Sequence, residues 1–411
     1  MQNTLFILVF VIVFTTIIGY LVSVYLNLEC KCAGMLLAIG GLTACGSSSQ
    51  SSTAETTVSK ESPAGEASEE PETSGGSTLG IEPLADRTTL SIGFFAGSAH
   101  SMPWYVADKM GFFDELNIDV EYQSFTGGPA MMEASADWDI CSVGGPGVLN
   151  GMKNYDVNMI GICDNEYNTA LFVRPDTDLA KEPDNPENWR GKKVLLNKGT
   201  TLQYVFMQYM ESIGITDLEE YDIEIIDTAV GTCLTAFQTG EGDAMCVWNA
   251  FAIAAEMDGA VRVTDIGKMN LNSINGICAT TDALENKMDL IKTAYQVYYK
   301  TWEWCQESEE NRAKAEELFM ESCDDEGIAV TEETVTKLVD EFQCTSLADA
   351  VAAMTTEEDD RNGKGGKVTK ATNQLFETMD FFITLGNYTE EDRQMILDKG
   401  LVNPIVAEAV K

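Results

Sequence analysis

From Thr88 onward the apolar positions change period in a regular way. Thr89-Leu-Ser-Ile-Gly-Phe-Phe95, Asp119-Val-Glu-Tyr-Gln-Ser-Phe125, Asp139-Ile-Cys-Ser-Val-Gly144 and Asn158-Met-Ile-Gly-Ile-Cys163 are short, β-branched or apolar runs that read as strands. Helices are predicted between them: Met102 to Phe113, ending near Gly111, then segments opened by Gly127-Gly-Pro and by Gly145-Pro-Gly147, with proline near the first turn. The pattern breaks at the acidic, Pro-containing stretch Asp176–Glu187 and restarts. Lys193–Lys198, Asp222–Asp227 and Asp243–Trp248 read as strands, each followed by a small-residue turn and a helix. Asn275-Gly-Ile-Cys-Ala-Thr280 reads as a return strand. Met288–Cys305, Glu309–Ser322, Thr331–Phe342 and Lys370–Gly386 then carry helical spacing. Thr355–Lys367, with its Glu357-Glu-Asp-Asp360 run, reads as an exposed loop. Strands alternating with helices predict an α/β fold with parallel sheets.

The N-terminus has a different character. Leu5 to Leu28 is apolar, uncharged and long enough to span a bilayer. A shorter apolar run, Ala33 to Leu42, follows Lys31 and has the length of a signal-peptide core. It ends in Leu42-Thr-Ala-Cys45-Gly-Ser-Ser-Ser49, which resembles a bacterial lipoprotein signal. The resemblance implies cleavage before Cys45, lipidation of Cys45, and a protein held on the outer face of the membrane. Two readings of Leu5–Leu28 stand. Either the true start lies near Lys31, or an additional membrane helix precedes the signal. The first is favoured, because a lipobox after a spanning helix would be a redundant anchor. Gly46 to about Asp86 is rich in Ser, Thr, Glu and Gly and is expected to be a flexible tether.

Charge narrows the function classes. The formal charge is −40, which excludes a phosphate-backbone binder and hence a nucleic-acid partner. A single histidine, His100, argues against a multi-His metal site, so no metal or cofactor is expected. Of 11 cysteines, Cys30, Cys32 and Cys45 lie in the leader or at its end. Cys141, Cys163, Cys246 and Cys278 sit in apolar runs and are expected to be buried thiols.

Three stretches carry a family likeness. Met102-Pro-Trp-Tyr-Val-Ala-Asp-Lys-Met-Gly-Phe-Phe to Glu121, Asn188-Trp-Arg-Gly-Lys-Lys-Val194 with Lys198-Gly-Thr200, and Ala236-Phe-Gln-Thr-Gly-Glu-Gly-Asp-Ala-Met-Cys-Val-Trp248 resemble solute-binding proteins of the nitrate/sulfonate/taurine type. Those proteins feed ABC importers. The resemblance implies a two-lobed, type II periplasmic-binding-protein-like fold with a helical C-terminal extension. The expected organisation is a leader at 1–44, a lipidated tether at 45–86, lobe one at 88–175 plus 270–350, lobe two at 176–269, and C-terminal helices at 351–411 packed across lobe one. Hinge crossings are expected near Arg174 and Asn272. The implied partners are a small-molecule ligand and ABC permease and ATPase subunits, with membrane attachment through the lipid and a monomeric state. The same fold family includes a pyrimidine synthase that depends on clustered cysteines and on histidines; this chain has no clustered cysteines after Cys45 and only His100, so no catalysis is expected.

Open α/β sheets bind ligands at the carboxyl ends of their strands. Here those ends carry Ser98 and His100; Thr126, Gly127 and Gly128; Gly144 and Gly145; Thr200 and Thr201; Gly231 and Thr232; and Trp248 and Asn249. Helix N-termini with free N–H groups converge there, which favours an oxyanion such as a sulfonate, nitrate or carboxylate. Asp164 and Asp227, with Glu166, also lie at or just past strand ends. They, and the negative charge, would instead select an amine or a cationic heterocycle, and the alternative function is a receptor for an amine or a pyrimidine of thiamine-precursor type. A ligand sensor outside transport is the further alternative.

Overall fold

The computed structural model describes residues 77–361 and 366–411. The membrane-length run Leu5–Leu28, the lipobox and Cys45 lie outside the described residues, as does most of the expected tether. The described structure already includes Leu79 and Ile81, ahead of the expected start at Thr88: both are buried, and the Lys300 ammonium donates to the Leu79 carbonyl at 3.0 Å. Both side chains pack into the core of the first lobe.

Two five-stranded sheets organise the chain, each the framework of one lobe. The first contains β1 (Thr88–Phe94), β2 (Ile118–Ser124), β3 (Ile140–Gly144) and β4 (Val157–Asn165). The second contains β5 (Ala170–Val173), β6 (Lys193–Leu196), β7 (Glu224–Asp227), β8 (Ala244–Val247) and β9 (Val261–Asp265), after which β10 (Ile274–Thr280) returns to the first. The orders are β2-β1-β3-β10-β4 and β7-β6-β8-β5-β9. β1 is parallel to β2 and β3, and β6 to β7 and β8. β10 and β5 run antiparallel to both of their neighbours. The sheets are therefore mixed rather than wholly parallel, and each receives its antiparallel strand from a crossing of the chain. β4 is buried from Val157 to Cys163, because helices cover both faces, and its sequence accordingly reads as one apolar run.

The first crossing lies between Asn165 and Ala170, not near Arg174. β5 belongs to the second sheet, and Arg174 at its end donates to the carbonyls of Phe237, Glu241 and Gly242 in the same lobe. The second crossing runs from Asp265 to Ile274. The two crossings are bonded to each other: Glu166 N–H donates to Ser273 O at 2.8 Å, and Ser273 N–H to the Asn165 side chain at 3.0 Å.

Helices α1 (Met102–Lys109), α2 (Gly128–Glu133), α3 (Gly145–Tyr155), α4 (Thr201–Ser212), α5 (Val230–Gln238) and α6 (Asn249–Met257) follow strand ends. Next come α7 (Met288–Glu307), α8 (Glu309–Asp325), α9 (Glu332–Glu341), α10 (Leu347–Thr355), α11 (Lys370–Thr384), α12 (Glu390–Lys399) and α13 (Ile405–Val410). α7 approaches β4 so closely that a Cβ on Gly161 would lie 2.5 Å from the Tyr295 ring. α9 also reaches the second lobe, where the Lys337 ammonium meets Glu256 at 2.8 Å. The acidic run at Glu357 is not a free loop. Glu357–Asp359 pairs antiparallel with Lys367–Thr369, and Asp359 and Lys367 form an ion pair at 2.6 Å. Asp359 faces Lys367 across the strands, one opposite-charge pair that adds to the pairing.

Candidate functional site

A small chamber lies where the two sheets face each other at the crossings. The turn after β1 contributes Phe95, Ser98 and His100, and the starts of α2 and α3 contribute Gly128, Pro129, Gly144, Pro146 and Gly147, with Val143 of β3. Thr200, Thr201 and Trp248 enter from the second lobe, Glu166 from the first crossing and Asn275 from β10. The lobes are in contact around it. The Asn249 side chain donates to Ser98 Oγ at 3.4 Å, and a Cβ on Gly144 would lie 3.1 Å from Thr201 Oγ1. Asn249 adopts a left-handed backbone, φ 47°, which asparagine tolerates better than most residues. The space left is about 20 Å³, room for about one water molecule.

The residues expected from strand ends divide into groups. Ser98, His100, Gly128, Gly144, Thr200, Thr201 and Trp248 line the chamber, and Asn249 stands beside it on Ser98. Thr126, Gly231 and Thr232 line a separate, larger hollow of about 550 Å³. Gly127 faces the Asn197 side chain, and Gly145 faces Ile274 O and Thr378. Asp164 is set behind Asn275, whose Nδ2 donates to it at 2.9 Å. Asp227 is exposed and accepts from Lys198 N–H and the Asn197 amide. It ends β7, at the sheet edge, and serves as a turn cap there. Asn275 is a lining residue that strand-end reasoning misses, because it sits at the start of a return strand. Its place is set by pairing with Gly144 across β3 and with Asp164 across β4.

The polar groups are wired from behind. Ser142 Oγ donates to His100 O at 3.0 Å and accepts from Trp104 Nε1 at 3.2 Å. The same oxygen lies 3.1 Å from His100 Nδ1. With its own hydrogen committed, Ser142 accepts from Nδ1–H. This assigns the proton to Nδ1 and leaves Nε2 as an acceptor. Tyr298 also donates to His100 O, at 2.8 Å. Burial pulls the imidazole down to about 3, so it is neutral at ordinary pH. Burial pushes Glu166 up to about 7, opposed by hydroxyl bonds from Thr169 and Thr201. It pushes Asp164 up to about 8, opposed by Asn275 and reinforced by Glu166. Asn275 Oδ1 is buried with no partner among the described residues. Among the described residues no Lys or Arg lines the chamber. The site thus offers acceptors: Asn275 Oδ1, the Glu166 carboxyl and His100 Nε2. No group of three or more potential metal ligands occurs among the described residues, and none of their helices is long and apolar enough to cross a membrane.

Comparison with known proteins gives a family and a fold. A family model described as NMT1/THI5 like matches residues 98–312. No curated protein sequence matches the chain. Among solved structures, the chain resembles the alkanesulfonate-binding protein SsuA of Xanthomonas axonopodis pv. citri bound to MOPS. The TM-score is 0.58 at 14% identity, over 75% of this chain and 96% of that one. It resembles the periplasmic aliphatic sulphonate-binding protein SsuA of Escherichia coli with TM-score 0.56 at 15% identity, over 75% and 91%. It also resembles the periplasmic nitrate-binding protein NrtA of Synechocystis PCC 6803, with TM-score 0.58 at 12% identity, over 80% and 90%. At these identities the likeness is one of fold, a two-lobed type II binding-protein architecture.

Proposed function

The chain belongs to the NMT1/THI5-like family, and from that premise we propose that it is an extracytoplasmic solute-binding protein. It takes one small organic molecule between its lobes and delivers it to the permease and ATPase subunits of an ABC importer. Lipid on Cys45 holds it, as a monomer, to the outer face of the membrane, and the polar segment before Ser77 is the tether. Capture is by closure about the two bonded crossings. Glu166 lies within the first crossing, so a ligand that engages it acts on the hinge itself.

The observation that carries the ligand class is the acceptor set. A buried carboxyl, an unpartnered amide oxygen and an imidazole acceptor meet in one chamber, with no lining Lys or Arg among the described residues. Such a set rewards a nitrogen-bearing donor: an amine, an amidine or an aminopyrimidine. An unpaired buried acceptor costs about 1–3 kcal/mol, which a donating ligand recovers. An oxyanion is the second reading. It is favoured by the starts of α3 and α4, whose Gly144 and Thr201 face each other at the chamber.

Thermal denaturation with a panel of amines, amidines, aminopyrimidines, sulfonates, carboxylates and nitrate tests this. A true ligand at a hundredfold excess over its Kd adds about 2.7 kcal/mol, without turnover. Stabilisation by a nitrogen donor is expected. Stabilisation by oxyanions alone overturns the donor reading, and no stabilisation by any compound overturns the receptor reading.

A further inference from the structure

The chamber borders the larger hollow of about 550 Å³, and Phe95 forms part of both linings. Phe125 and Thr126 wall the hollow on the first-lobe side, and Thr235 of α5 with Phe251 and Met257 of α6 on the second. A third wall is the turn Gly327–Thr331 between α8 and α9. That wall is tied down: Thr334 Oγ1 donates to Met257 Sδ at 3.2 Å, and Lys337 pairs with Glu256. Ile328 packs against the second-lobe core. Met257 nevertheless remains 44% exposed. Asp258 and Glu326 stand on the lining, with no Lys or Arg among the described residues there.

Pockets that take organic ligands measure roughly 300–1,000 Å³. The chamber is far below that range and the hollow is within it. We propose that the solute is amphipathic, with the donor nitrogen of its head at the chamber and an uncharged alkyl or aryl body in the hollow against Phe125, Phe251 and Met257. This rests on the reading of the chamber as a solute site and adds the shape and charge of the ligand's remainder. Both lobes and the α8–α9 turn contact the body, so it fastens all three together. Asp258 and Glu326 reject a body that ends in an anion.

Isothermal titration of the full-length protein with matched methyl and hexyl compounds tests the proposal. The pairs are methylamine and hexylamine, methylguanidine and hexylguanidine, 5-methyl- and 5-hexyl-4-aminopyrimidine, and methane- and hexanesulfonate. 6-Aminohexanoate is the anionic-tail control. In at least one nitrogen-headed pair the hexyl compound is expected to bind about tenfold or more tightly than its methyl partner, with no such gain for 6-aminohexanoate. Thr235→Trp and Ala254→Trp, which fill the hollow, are expected to erase the gain. Equal affinity within every pair, a gain that survives both variants, an equal gain for 6-aminohexanoate, or no binding at all overturns the proposal. A gain confined to the sulfonates and erased by Thr235→Trp keeps the hollow but overturns the nitrogen-donor head, so the two readings fail separately.

Discussion

Gly144→Ala probes the chamber without disturbing the core. Gly144 has φ −60° and ψ 151°, a conformation any residue adopts, so the substitution introduces no backbone strain. The added methyl would lie 3.1 Å from Thr201 Oγ1, 3.4 Å from Asn275 Oδ1 and 3.9 Å from Pro146 Cδ. It occupies a place where both lobes and β10 converge, in a space of about 20 Å³. A ligand atom seated there must move. Overpacking of this kind costs about 1–3 kcal/mol, so the Kd of the best-binding compound should rise by about ten- to hundredfold. The ligand-free fold should lose less. The lobes can part by a few tenths of an ångström, and replacing glycine at the N-cap of α3 costs less than about 1 kcal/mol. Titration calorimetry of both proteins measures the first effect and thermal denaturation without ligand the second. Unchanged affinity would place the ligand elsewhere and refute the argument. A collapse of ligand-free stability would show that the methyl meets packed core, not an open chamber.

Other consequences concern protons and anchoring. Burial raises Glu166 to about 7 and Asp164 to about 8, so the folded protein retains protons that the unfolded chain has released. Their contribution is therefore full below about pH 4 and is lost as pH rises toward 8, by an amount on the order of several kcal/mol. Urea unfolding at pH 5 to 8 should show that fall, and Glu166→Gln should remove the share of Glu166 and leave that of Asp164. A cationic ligand favours the ionised carboxylate, so its affinity should rise from pH 6 to 8 in the native protein and not in Glu166→Gln. His100, lowered to about 3 by burial, acts in the opposite sense: its contribution is present above about pH 6.5 and is lost as pH falls toward 3. As the one histidine, it should give a single nitrogen-15 pattern at pH 6, that of a neutral ring protonated on Nδ1. A neutral ring protonated on Nε2 would contradict the Ser142 assignment, and an imidazolium pattern would contradict the lowering by burial. Finally, Cys45→Ala should release the protein from the membrane fraction and abolish incorporation of labelled fatty acid.

The repetition of strand, small-residue turn and helix in both halves made the α/β class legible, while the two-lobed architecture rested on the family resemblance. It also exposed seven chamber residues, since Ser98, His100, Gly128, Gly144, Thr200, Thr201 and Trp248 stand where strands give way to helices. What stayed hidden depends on strand order. Ala170–Val173 carries no local mark of antiparallel pairing, and only its partners β8 and β9 place it in the second sheet. Asn275 is invisible for the same reason, being brought to Gly144 by register. Asp227 looked equivalent to Asp164, yet it ends the edge strand β7, separated by β6 and β8 from the crossing strand β5. The larger hollow could not be foreseen either, because its third wall comes from Gly327–Thr331, about 70 residues downstream of α6.

Hydrogen exchange read by mass spectrometry, with and without the best-binding compound, tests the central claim most directly. Protection is predicted at five separate segments: 142–148, 164–169, 199–204, 246–250 and 273–276. These contain the facing strand ends of both lobes and the two crossings between them. Protection confined to one lobe, or to segments away from the crossings, would contradict capture between the lobes.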